Sequence, residues 1–139
     1  MSYVYVIETI IDGKPSSPCK LGITAKPRRR MQMLQCASPH DLRFRQIWDA
    51  RLCPVKITAS EIESALHRAL EDRGLRLRGE WFNISPDDLD WSVNRALAFM
   101  LTQSGGMSDE ASNLSVRKMQ CGGCKFDVAG RPKVKAEAW

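Results

Sequence analysis

The sequence predicts a small domain of the α/β class in its α+β form. The expected layout is a three-stranded, largely antiparallel sheet flanked by helices, followed by a C-terminal helix and a tail. Three observations carry this. Residues 3–11, YVYVIETII, are dense in β-branched and aromatic side chains, the composition of a strand buried on both faces. Ile62, Ala65, Leu66, Ala69 and Leu70 recur at helical spacing. The signals run strand, strand, helix, strand, helix, strand, helix over 139 residues, a length that fits one domain.

Each element has its own signal. Asp12-Gly13 marks a turn after the first strand. Two prolines in Lys14–Pro18 suggest that the loop continues to a second strand at Cys19–Thr24. Pro27 suits the first turn of a helix running from Arg28 to about Cys36, with Met31 and Leu34 as its apolar spacing. Ser38-Pro39 ends that helix. Leu42–Ala50 alternates, which places Leu42, Phe44 and Trp48 on one strand face and Arg43 and Arg45 on the other. Ser60-Glu-Ile-Glu63 has capping-box spacing before the second helix, and Gly74 is placed to end it. Glu80–Ile84 suits a short final strand. Ser85-Pro86-Asp87-Asp88 opens a third helix whose stripe is Leu89, Val93, Ala96, Leu97, Met100 and Leu101. The expected division is a working domain at 1–85, a helix packed on it at 86–103, and a polar, basic tail at 104–139. That tail has room for a short helix around Ser108–Met119, and its last twenty residues read as mobile.

Composition narrows the function classes. No stretch approaches the roughly 18 apolar residues of a membrane span. The start MSYVYVIETI has neither a basic lead nor a small-residue cleavage site, so a cytoplasmic protein is expected. Five irregularly spaced cysteines argue against a disulfide framework. The net charge is +5, and residues 1–85 alone, with 14 basic and 9 acidic residues, hold the same +5. That hints at an anionic partner.

Within this frame lies a sparse polar set: Tyr5 in the first strand, Lys20 at the start of the second, Arg30 on the first helix, and Glu63 and His67 one turn apart on the second. Glu63 and His67 fall along one edge of the apolar stripe, and Glu61 along the opposite edge. In order and spacing the chain resembles the GIY-YIG nuclease superfamily across roughly residues 3–84. Tyr3-Val4-Tyr5 stands where that family has GIY, and Lys20-Leu21-Gly22 where it has YIG. Arg30 in PRRRMQMLQ matches the family arginine, and Glu63 in EIESALH the metal-binding glutamate. Gly79–Phe82, GEWF, is similar to the closing segment of a small diverged branch with a KIG-like second motif. Two departures stand out: Tyr3 replaces the GIY glycine and Lys20 the YIG tyrosine.

The resemblance implies hydrolysis of DNA phosphodiester bonds with Mg²⁺ or Mn²⁺. Elementary chemistry agrees with the residue types. A carboxylate holding a hard cation supplies Lewis acidity, which is the role of Glu63, and one carboxylate suggests one metal ion. An arginine fork matches phosphate, which suits Arg30. A phenol or a perturbed lysine can relay the proton of water, which suits Tyr5, with or without Lys20. His67 would assist. Arg28 and Arg29 are candidates for the DNA backbone and Asn83 for a phosphate contact, with Glu80 and Asn83 read first as organisers of the GEWF turn.

Each residue also has a plain structural use. Tyr5 and His67 could simply pack, Lys20 and the arginines could be solvated, and Glu63 could only complete the capping box. Two other functions therefore stay open: a DNA-binding module that keeps the fold without turnover, and a zinc-stabilised interaction protein centred on Cys121-Gly-Gly-Cys124. No second C-x-x-C or H-x₃-H accompanies that pair, so structural zinc is not expected. A domain this small has little surface for reading a long site. Target specificity is expected from a partner, a dimer or the tail.

Overall fold

The computed structural model describes residues 3–120. The sheet has five strands, not the expected three, in the order β3-β1-β2-β5-β4, and every pairing is antiparallel. β1 (Tyr3–Ile11) and β2 (Lys14–Thr24) form a hairpin. Asp12 (φ 53°) and Gly13 (φ 75°) are both left-handed, so the connection is a tight two-residue turn whose twist suits paired strands. Ile11 therefore pairs directly with Lys14, and the expected long loop is strand. Pro15 pairs with Ile10, and Pro18 is accommodated because the pairing shifts between Glu8 and Thr9, which leaves Ser17 and Pro18 outside the ladder.

β3 (Asp41–Asp49) pairs with the other side of β1. Its register shifts between Val6 and Ile7, where Arg45 is the extra residue of a bulge. The bulge overturns the simple alternation. Leu42, Phe44 and Ile47 pack on one face, whereas Trp48 packs on the other.

The two added strands come from one hairpin, β4 (Arg76–Arg78) and β5 (Trp81–Phe82), turned at Gly79 with φ 56°. β5 joins the sheet by pairing Cys19 with Phe82 and Lys20 with Trp81. All three β4 residues are exposed, so this strand has no apolar alternation to betray it in sequence.

The sheet has two packed faces. On one lie Tyr5, Ile7, Leu42, Phe44 and Ile47, covered by Met31 and Leu34 of α1 (Pro27–Cys36). On the other, Val4, Val6, Leu21 and Trp48 meet α2 (Ala59–Asp72), α3 (Pro86–Gly105) and α4 (Asp109–Met119). Neighbouring residues of β1 thus serve opposite layers. That places the Tyr5 ring under α1 while α2 holds the opposite face.

The cap of α2 also differs from expectation. Thr58, not Ser60, is the N-cap, and its hydroxyl accepts the Glu61 N–H at 3.2 Å. The helix starts two residues early because Thr58-x-x-Glu61 offers the same spacing as Ser60-x-x-Glu63. Glu63 is thereby released from capping. At the other end, Gly74 N–H meets Glu71 O and Leu75 N–H meets Leu70 O, a Schellman closure with Gly74 at φ 72°. α3 opens as expected on Ser85, which caps the Asp88 N–H. It runs on through Gly105 and stops at left-handed Gly106. The helix expected around Ser108–Met119 forms as α4, and its Val116 and Met119 are buried in the shared core. Among the described residues, no helix is long and apolar enough to cross a membrane.

α3 is also tied to the sheet by charge. Arg45 on β3 reaches Glu8 of β1 (3.4 Å) and Asp87 and Asp90 of α3 (2.8 and 2.7 Å). Gln46 donates to Asp90 as well.

Candidate active site

The site is built around a residue with no side chain. Tyr5 and Gly22 are cross-strand partners. A Cβ on Gly22 would lie 2.6 Å from Tyr5 Oη, 2.7 Å from Glu80 Oε2 and 2.8 Å from Tyr5 Cζ. Only a glycine lets the tyrosine and the glutamate close over this strand position. Gly22→Ala is therefore expected to displace both side chains. It should lower stability by about 1–3 kcal/mol, read from a thermal melt.

Tyr5 is fully buried, and its ring meets Phe44 edge to face at 5.6 Å. Its hydroxyl has no hydrogen-bond partner among the described residues. Burial pushes the phenol's pKa well up; Glu80 and Glu63 add to this and Arg30 opposes it. The phenol therefore holds its proton at neutral pH.

Glu63 is half-buried on α2, and its Oε2 is likewise buried without a partner. Burial raises its carboxyl above the usual range, with Glu80 adding to the rise; His67, Lys20 and a hydrogen bond from the Ile23 backbone oppose it. That bond is available because β5 pairs β2 only at Cys19 and Lys20, which leaves the far end of this edge open to α2.

Lys20 is 8% exposed. Its Nζ lies 2.7 Å from Glu80 Oε2 and 5.7 Å from the centre of the Trp81 ring. His67 Nε2 lies 2.9 Å from the Leu21 carbonyl, and its ring stands edge-on to Phe82 at 5.2 Å. A carbonyl only accepts, so Nε2 carries the proton and Nδ1 is the nitrogen left for other work. Arg30 is half-buried on α1, and its guanidinium has no ion-pair partner among the described residues.

The five expected residues thus belong to one electrostatic network: Tyr5 feels Arg30 and Glu63, and Glu63 feels His67 and Lys20. Arg28 and Arg29 are exposed beside Arg30 on α1. Asn83 Oδ1 accepts from the Ser17 hydroxyl at 3.1 Å, and its backbone N–H donates to Leu75 O at 2.8 Å. Glu80 is the residue that sequence reasoning left outside the chemistry. Its signal is faint: it precedes Trp81, the cross-strand partner of Lys20.

The donor set fits one hard divalent cation. Glu63 Oε2 is a buried carboxylate oxygen awaiting a partner, and such a cation completes its shell with water and phosphate oxygens. No group of three or more His, Cys, Asp or Glu among the described residues could hold a metal ion unaided. Cys121 and Cys124 lie outside the described residues.

The site thus sits on an antiparallel α+β scaffold, where Tyr5 and Glu80 converge on a bare strand position. In comparison with known families, the T5orf172 domain matches residues 2–97. The chain belongs to this family, whose domain is GIY-YIG-like and of the endonuclease type. No curated protein and no solved structure matches the chain.

Proposed function

We propose that the domain is a metal-dependent endonuclease that hydrolyses DNA phosphodiester bonds at this site. One observation supports this above the rest. Among the described residues, two buried oxygens, Tyr5 Oη and Glu63 Oε2, lack hydrogen-bond partners within the network that holds Arg30, itself without an ion-pair partner. A buried polar atom left unsatisfied costs about 1–3 kcal/mol, and a cost carried twice at one place is accounted for by a ligand that completes both.

Arg30 binds the phosphate through its planar fork and offsets the charge that builds on it. Glu63 holds the cation, with its second oxygen steadied by the Ile23 N–H. The cation, when bound, supplies Lewis acidity to the phosphate and acidifies water. Tyr5, still protonated, contacts the attacking water and passes its proton on. His67, fixed between Leu21 and Phe82, keeps α2 and β2 in register so that Glu63 faces Tyr5. Lys20 adds positive charge beside the phosphate. Arg28 and Arg29 extend this charge along the DNA backbone.

Incubation with supercoiled plasmid tests the reading. Nicked circles are expected with Mg²⁺ or Mn²⁺ and none with EDTA. Intact plasmid under both metals, or cleavage that survives EDTA, contradicts it. The DNA-binding module without turnover has one observation in its favour, the commitment of Lys20 to Glu80. It is marked by salt-sensitive DNA binding that survives Glu63→Ala with no cleavage.

A further inference from the structure

We propose that Glu80 is the final acceptor of the attacking water's proton, with Tyr5 as the relay and Lys20 as the counter-ion of Glu80. The inference rests on the nuclease reading above.

Tyr5 Oη and Glu80 Oε2 converge over the Gly22 Cα, one from β1 and one from the turn between β4 and β5. The Tyr5 hydroxyl proton is uncommitted among the described residues. Glu80 Oε2 accepts one bond, from Lys20, and a carboxylate oxygen has room for another. Exposure separates the two groups. Tyr5 is sealed from solvent, whereas the Glu80 side chain is 40% exposed. Glu80 thus connects a buried phenol to bulk water, which a proton needs in order to leave.

The other neighbours are poor acceptors. Lys20 is held as an ammonium at 2.7 Å from a carboxylate, and an ammonium has no lone pair. Glu63 is engaged by the Ile23 N–H and, on this reading, by the cation. Arg30 cannot accept. The groups around Glu80 are Lys20 from β2, Tyr5 from β1 and Glu63 from α2. From β4 come Arg76, turned to Gly79 O and Glu71, and the exposed Arg78.

The step balances. The water oxygen bonds to phosphorus as the bond from phosphorus to the departing sugar oxygen breaks. That oxygen leaves with the bonding pair and takes a proton from solvent. The water's proton moves to Tyr5 Oη while Tyr5's own moves to Glu80 Oε2, which then releases it to solvent. One water is consumed.

The test is single-turnover nicking of supercoiled plasmid with saturating Mg²⁺, from about pH 5.5 to 9, with a thermal melt for each variant. Glu80→Gln should be about 100-fold slower in a protein that still melts cooperatively. Adding Glu80→Gln to Tyr5→Phe should cost little more than Tyr5→Phe alone, since both sit in one relay. A Glu80→Gln rate within about threefold of wild type, or fully multiplicative losses in the double variant, overturns the proposal. The carbon-13 resonance of Tyr5 Cζ should differ between wild type and Glu80→Gln, and an unchanged resonance also overturns it. A wild type inactive with both metals overturns the nuclease reading and this proposal together. An active wild type with an unaffected Glu80→Gln overturns this proposal alone.

Discussion

Replacing Tyr5 by Phe is expected to slow plasmid nicking by about 100- to 10,000-fold, the usual worth of a positioned proton-transfer group, while the melting temperature holds or rises. The two halves of this expectation share a cause. The Tyr5 ring is packed against Phe44 within a fully buried cluster, and Phe retains that packing. Its hydroxyl, by contrast, bonds to nothing among the described residues. Removing an unsatisfied buried polar atom removes a desolvation cost and no bond. A tyrosine kept for stability would show the reverse, a lower melt with modest loss of rate. Single-turnover kinetics beside calorimetry separates the two.

The largest stability effect is expected away from the site, at Arg45. Arg45→Met should destabilise the fold by about 2–4 kcal/mol. This is somewhat below the full cost of stripping a partner from a buried charge, because Arg45 is 26% exposed. The change leaves Glu8, 4% exposed, without its cation. It also cuts two links between β3 and α3, at Asp87 and Asp90. The pH dependence has a definite sign. Burial already raises the Glu8 carboxyl, and Arg45 is the main influence lowering it. Without Arg45 the folded-state value rises further above the unfolded one. A group raised in this way favours the fold in acid and costs stability as pH rises. The deficit of Arg45→Met should therefore be greatest at neutral pH and shrink as pH falls through the raised Glu8 range. Urea melts at several pH values measure this.

Much of the fold was legible because burial writes itself into residue type. β1 is apolar on both faces, and α2 carries a full amphipathic stripe, so each was recognisable from sequence alone. The misses share a different origin. β4, Arg-Leu-Arg, is wholly exposed and owes its strand geometry to the Gly79 turn and to β5. The face of Trp48 was misread because the bulge at Arg45 is a property of pairing with β1, not of β3 alone. Ser60-x-x-Glu63 reads as a capping box, but Thr58-x-x-Glu61 carries the same spacing two residues earlier and takes the cap.

The motif order marks Tyr5, Lys20, Arg30, Glu63 and His67, and the fold brings them within electrostatic reach of one another. The site was not legible where function depends on an approach between strands. Glu80 became part of the site only through the bare Cα of Gly22 and the pairing of Trp81 with Lys20. The bond from Ser17 to Asn83 Oδ1, across 66 positions, is likewise a product of strand approach.

The central claim is that Glu63 holds a cation opposite Tyr5 and Arg30 to cut DNA. The measurement that bears on it most directly compares wild type and Glu63→Ala on supercoiled plasmid with Mg²⁺, both shown to be folded by calorimetry. The expected result is nicking by wild type and a loss of about 1,000-fold or more in Glu63→Ala, the scale of removing a principal charge-stabilising group, with no fall in melting temperature. Equal nicking by the two proteins, or plasmid left intact by both, would contradict it.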